Sequence, residues 1–75
     1  MELQDFVADF AAQFDDTVPE EIQANTKFHD LEEWSSLIAM GVIALSKAQY
    51  GKTITGKELR DCETVEDVFY LIVSK

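Results

Sequence analysis

Two adjacent hydroxyls, Ser35 and Ser36, stand where the acidic, irregular stretch ending in Glu33-Trp34 meets a long apolar run beginning at Leu37. A serine nucleophile needs a base within hydrogen-bond reach and an oxyanion hole. No G-x-S-x-G elbow occurs here, and the one histidine, His29, lies in the same loop as the serines. It reads as a solvated loop residue, so self-catalysed serine chemistry is not expected. Two other roles suit the pair. A Ser oxygen can cap a helix by accepting from its free N–H groups, and either serine is placed to do so. A hydroxyl at that edge can also carry an anionic group, because unpaired amides and the positive end of the helix dipole favour a phosphate there. The junction therefore reads as an attachment point and not as a catalytic centre.

The remaining reactive residues offer less. Asp15-Asp16, Glu20-Glu21 and Glu32-Glu33 lack the spacing of a calcium loop. Adjacent carboxylates usually form a solvated face, and their functional reading is a docking surface for a basic partner. Cys62 is flanked by Asp61 and Glu63, whereas a reactive thiol needs positive surroundings. It is expected to be a small buried hydrophobe, and with a single His and a single Cys no metal site is expected. Trp34 reads either as a staple closing on Ile38 or Val42, or as a partner-facing contact residue.

These residues must be positioned by a small scaffold. Seventy-five residues make one domain, residues 1–75, and a chain of that size hides only about 60% of the surface it exposes when unfolded. Apolar residues at 47%, with one proline and three glycines, favour a folded unit. A lone cysteine excludes an internal disulfide and suits a reducing cytoplasm. No basic amino-terminal region precedes an apolar stretch, so no secretory signal is expected. The longest apolar run, Leu37 to Leu45, is too short for a membrane span. The formal charge of −9 disfavours nucleic acid and anionic membranes and favours basic protein partners. All of that charge comes from residues 1–33, with ten acids against Lys27 alone; the remainder balances five acids with five bases.

Leu3, Phe6, Val7, Phe10, Ala11 and Phe14 fall on one helical face, which predicts a first helix from about Glu2 to Phe14. Residues 15–35 form a long connection in which Pro19 to Ile22 make a short helical turn. Phe28, Leu31 and Trp34 are its natural anchors. Leu37 to Tyr50 is the second helix, closed by Gly51, and Gly41 in its middle suggests a close approach. Ile54 follows as a core plug. Thr55-Gly56-Lys57-Glu58 opens a short turn containing Leu59, and Thr64-Val65-Glu66-Asp67 opens a last helix ending near Ser74. The outcome is an all-α fold, a small four-helix bundle of three main helices and one short third helix.

This pattern resembles the acyl carrier protein family, which includes the peptidyl carrier domains. The family motif is Asp-Ser-Leu at the start of the second of four helices, after a long loop, and Ser35-Ser36-Leu37 occupies that place. The likeness spans the chain, from the first helix through Phe28 and Leu31 to Tyr50-Gly51, Ile54 and Thr64-Val65. It implies that Ser36, beside Ser35 and Leu37, receives a 4′-phosphopantetheine arm from coenzyme A by the action of a separate phosphopantetheinyl transferase. Acyl or aminoacyl cargo would then ride as a thioester between loading and transferring enzymes, on a non-catalytic, monomeric, cytoplasmic carrier. Such a bundle can also open an apolar cleft for cargo. Fatty-acid, polyketide and related specialised biosynthesis are all compatible. The alternative is an unmodified helical protein-interaction module with a carrier-like fold.

Two departures are visible. Ser35 stands where the family has Asp. The second helix carries no acid from Ser36 to Tyr50, its one charge being Lys47, although fatty-acid carriers typically present acids there. Docking is therefore expected to be apolar, through Trp34, Ile38, Met40 and Gly41, with the acidic loop and first helix supplying long-range steering.

Overall fold

In the computed structural model, which describes residues 2–75, four α-helices succeed one another: α1 Leu3–Ala11, α2 Ser36–Tyr50, α3 Gly56–Asp61 and α4 Val65–Val73. Among the described residues there is no strand, only one isolated bridge between Lys27 and Thr64. Phe6, Phe10, Phe28, Val42, Val65, Val68 and Ile72 are sealed at the centre, where side chains from α1, α2, α4 and the long connection meet. Ile54 plugs that core as the sequence predicts, and Leu59 anchors α3.

The start signals act as capping chemistry requires. Thr55 Oγ1 accepts from the Glu58 amide at 3.1 Å while Glu58 Oε1 accepts from the Thr55 amide at 3.0 Å. Thr64 and Asp67 make the same reciprocal pair at the head of α4. Gly51 closes α2 at φ 68°, its amide donating to the Lys47 carbonyl at 3.1 Å. That left-handed position favours glycine.

Helix α1 is shorter than its apolar spacing predicts. It stops at Ala11, and the amides of Gln13 and Phe14 donate three residues back, to Phe10 and Ala11. The next amides, from Asp15 to Thr17, are captured by a distant carboxylate described below, so the chain leaves the helical path there. Phe14 stays buried against the core all the same.

The connection from Ala12 to Ser35 is tied down more firmly than its polar composition suggests. It holds the expected turn at Pro19–Glu21 and a further 3₁₀ turn at Phe28–Asp30. Its carbonyls at Ala24 and Thr26 accept from the α4 amides of Glu66 and Val65, at 2.9 and 3.2 Å. The head of α4 thus satisfies its free N–H groups on the connection, and the connection gains a fixed path.

Candidate functional site

The site starts with how α2 begins. Ser35 is extended, at φ −155° and ψ 173°, and its hydroxyl accepts from the Ile38 amide at 3.4 Å. Of the two serines, Ser35 is therefore the cap. Ser36 is the first helical residue, and its side chain is exposed with no hydrogen-bond partner among the described residues. The first amides of a helix lack intrahelical partners. Here Ser35 takes the Ile38 N–H, and the Ala39 amide reaches the Ser35 carbonyl at 2.9 Å. The amides of Ser36 and Leu37 are left beside the free hydroxyl.

The approach of the chain to Ser36 is fixed by Glu33. Its carboxylate accepts from the amides of Asp15, Asp16 and Thr17 at 2.7 to 3.1 Å, and from the Thr17 hydroxyl at 2.8 Å. Partial desolvation works to raise the Glu33 pKa. The hydrogen bonds from Thr17, Asp15 and Asp16 together outweigh it and hold the carboxyl below its ordinary range. Glu33 therefore does not belong to a free acidic docking face. It is spent on closing the end of α1 onto the residue next to Trp34.

Trp34 is half-buried and packs against the core cluster that includes Ile38 and Val42. It packs toward α1 and the connection, stacked nearly parallel on Phe10 at 6.2 Å and edge-on to Phe28 at 4.7 Å. Phe14 and His29 complete the cluster. His29 Nε2 lies 2.9 Å from the carbonyl oxygen of Cys62. A carbonyl only accepts, so that nitrogen carries the proton and donates. Loop residue His29 is exposed, as expected, but it is held in place between Trp34 and the α3–α4 link.

Beside Ser36 lies a cleft of about 340 Å³ between α2 and α3. Ser36, Ala39, Met40 and Ile43 form its α2 wall, spaced i, i+3, i+4 and i+7, a single helical stripe. Gly56, Leu59 and Arg60 line it from α3 with the same spacing, and His29, Trp34 and Ser35 close its remaining side. At about 1.5 Å per residue the stripe runs some 10 Å down α2 from the serine.

The docking residues expected on α2 divide. Met40 is 66% exposed, and Leu37, beside the serine, is 77% exposed. Ile38 is not on that surface. At 8% exposure it belongs to the core with Val42 and Leu45, because steps of about 100° turn residues 38, 42 and 45 inward when 37 and 40 face out. Gly41 faces the turn that follows α1: a Cβ there would stand 2.7 Å from Gln13 Oε1. The close approach is real, and its partner is internal.

Three features escaped the sequence reading. Ser46 is fully buried in α2, its hydroxyl donating to the Lys52 carbonyl at 2.8 Å. The Tyr50 hydroxyl donates to Asp9 Oδ2 at 2.9 Å, and burial, with the Asp9 bond and the charges of Asp9 and Asp5, pushes that phenol up to about 12. Arg60 lines the cleft; its i+4 spacing from Gly56 was the available signal. Cys62 is half-buried, and burial with the nearby Asp67, Asp61 and Glu58 raises its pKa, so it stays a thiol. Among the described residues no group of three His, Cys, Asp or Glu could hold a metal ion, and no helix is long and apolar enough to cross a membrane. No protein-family model, curated protein or solved structure matches the chain.

Proposed function

We propose that this protein is an acyl-carrier-type protein whose Ser36 hydroxyl accepts a 4′-phosphopantetheine arm from coenzyme A through a separate transferase. The observation that carries the reading is the division of labour at the head of α2. Ser35 satisfies the cap, leaving the Ser36 hydroxyl exposed beside two free amides and at the mouth of a cleft. The residues present fit such a group. Ser36 Oγ attacks the pantetheine-side phosphorus of the coenzyme A diphosphate, the P–O bond to the adenosine bisphosphate breaks, and the hydroxyl proton passes to a base of the transferase. The resulting phosphodiester keeps one negative charge, which the Ser36 and Leu37 amides and the positive end of α2 favour. Bound in that way, the arm supplies a thiol on which acyl or aminoacyl cargo is carried.

The chain itself performs no catalytic step in this reading. Ser36 Oγ has no base within hydrogen-bond reach among the described residues, and the His29 Nε2 proton is committed to Cys62. The chain displays and steers. Leu37 and Met40 offer an apolar docking patch free of acids, and the acidic first third of the chain attracts basic partner surfaces from a distance. Such a carrier works as a cytoplasmic monomer among loading and transferring enzymes.

Incubation with coenzyme A and a broad-specificity transferase, followed by intact mass measurement, tests the reading. One added phosphopantetheine is the expected result. Absence of any gain with several transferases favours the second reading, an unmodified helical interaction module that binds partners through the same Leu37–Met40 patch.

A further inference from the structure

The cleft beside Ser36 is apolar except at two places: the serine pair with His29, and Arg60. Arg60 forms no ion pair among the described residues, in a chain with fifteen carboxylates. Its neighbour Asp61 is instead approached by Lys57 at 3.8 Å, and Glu58 by Lys75 at 2.9 Å. Arg60 is exposed, with its side chain lining the cleft. Its Nη1 lies 3.7 Å from where a Gly56 Cβ would be, folded back over the start of α3 on the wall that faces α2. A guanidinium is always charged and presents a rigid fork of donors that matches a carboxylate in two parallel hydrogen bonds.

We infer that Arg60 is a specificity-determining residue of the cleft, selecting short acyl cargo that carries a carboxylate. This rests on the carrier reading and names the cargo class of the same site. Length follows from the cleft wall: the α2 stripe from Ser36 to Ile43 runs only about 10 Å. The body of the cargo lies against Ala39, Ile43 and Leu59, and its carboxylate meets the guanidinium. The arm's own phosphodiester is the other anion brought to this site. It is tethered to Ser36, where the free amides of α2 already answer its charge, which leaves Arg60 for the cargo.

The test uses the full chain loaded at Ser36 with three arms: unacylated, octanoyl, and adipoyl with a free terminal carboxylate. The two acyl groups have equal heavy-atom counts and differ in the terminal charge. Intact mass first establishes loading; failure there sinks the carrier reading and is distinguishable from anything that follows. Methyl resonances of Ile43 and Leu59 and the Arg60 side-chain N–H then report occupancy. The adipoyl arm is expected to shift all three, and in Arg60→Gln the adipoyl-induced methyl shifts are lost while the octanoyl-induced ones remain. Adipoyl shifts that survive Arg60→Gln overturn the inference. So does an Arg60 N–H shift of equal size with the unacylated arm, which would assign the guanidinium to the phosphodiester. Arg60→Lys, which keeps the charge but not the fork, is expected to restore only part of the adipoyl shifts.

Discussion

At the scale of single residues, two neighbouring serines are separated by what their oxygens touch. Ser35 is engaged by an amide at 3.4 Å, a long bond, so Ser35→Ala is expected to cost only about 0.5–1 kcal/mol in thermal or denaturant unfolding. Glu33 is the stronger lever. Its carboxyl is held below the ordinary value of 4.5 by donors that require the charged form. The contribution is therefore present above that value and disappears as pH falls through the lowered one. Glu33→Gln is expected to lower the melting temperature at neutral pH and to speed amide exchange at residues 15 to 17, with the stability gap closing on acidification. A gap that stays constant down to strongly acid pH contradicts this account. The role of Glu33 was not legible in the sequence. One acid of an adjacent pair looks like any solvated acid until the turn after Phe14 is seen to aim three amides at it.

At the scale of elements, α2 has two faces that its composition does not distinguish, because apolar residues occur nearly all round it. Periodicity locates the helix but leaves its rotation undetermined, which is why Ile38 was expected outside. The observed burial makes the two substitutions diverge. Met40→Glu is expected to leave the fold intact and slow loading by a native partner enzyme. Ile38→Glu buries an unpaired carboxylate and is expected to unfold the domain. Circular dichroism read beside loading kinetics separates them, and a Met40→Glu variant that loads normally removes that patch from the docking surface. Gly41→Ala probes the contact between α2 and the turn after α1. The added methyl meets only the far end of Gln13, which can swing aside and give up a 3.3 Å bond to the Asp9 carbonyl. Since Ala exceeds Gly in a helix interior by about 1 kcal/mol, the variant should be unchanged or up to ~1 kcal/mol more stable. A loss beyond ~1 kcal/mol shows that Gln13 is not free to move.

At the scale of the molecule, the four helices, the caps at Thr55, Thr64 and Gly51, and the Ile54 plug were legible because each rests on local spacing or local hydrogen bonding. What was not legible is non-local: the tie between the α4 amides and the carbonyls of Ala24 and Thr26, the direction taken by Trp34, and the α2–α3 cleft. Each depends on residues far apart in sequence. A thin aromatic core centred on Phe6, Phe10 and Phe28 holds these parts together. The proposed carrier role requires Ser36 to be the single residue that is decorated. Intact mass of three chains, wild type, Ser35→Ala and Ser36→Ala, each incubated with coenzyme A and transferase, tests this most directly. One phosphopantetheine on the wild type and on Ser35→Ala, with none on Ser36→Ala, is the predicted result; a gain that survives in Ser36→Ala, or is lost only in Ser35→Ala, contradicts it.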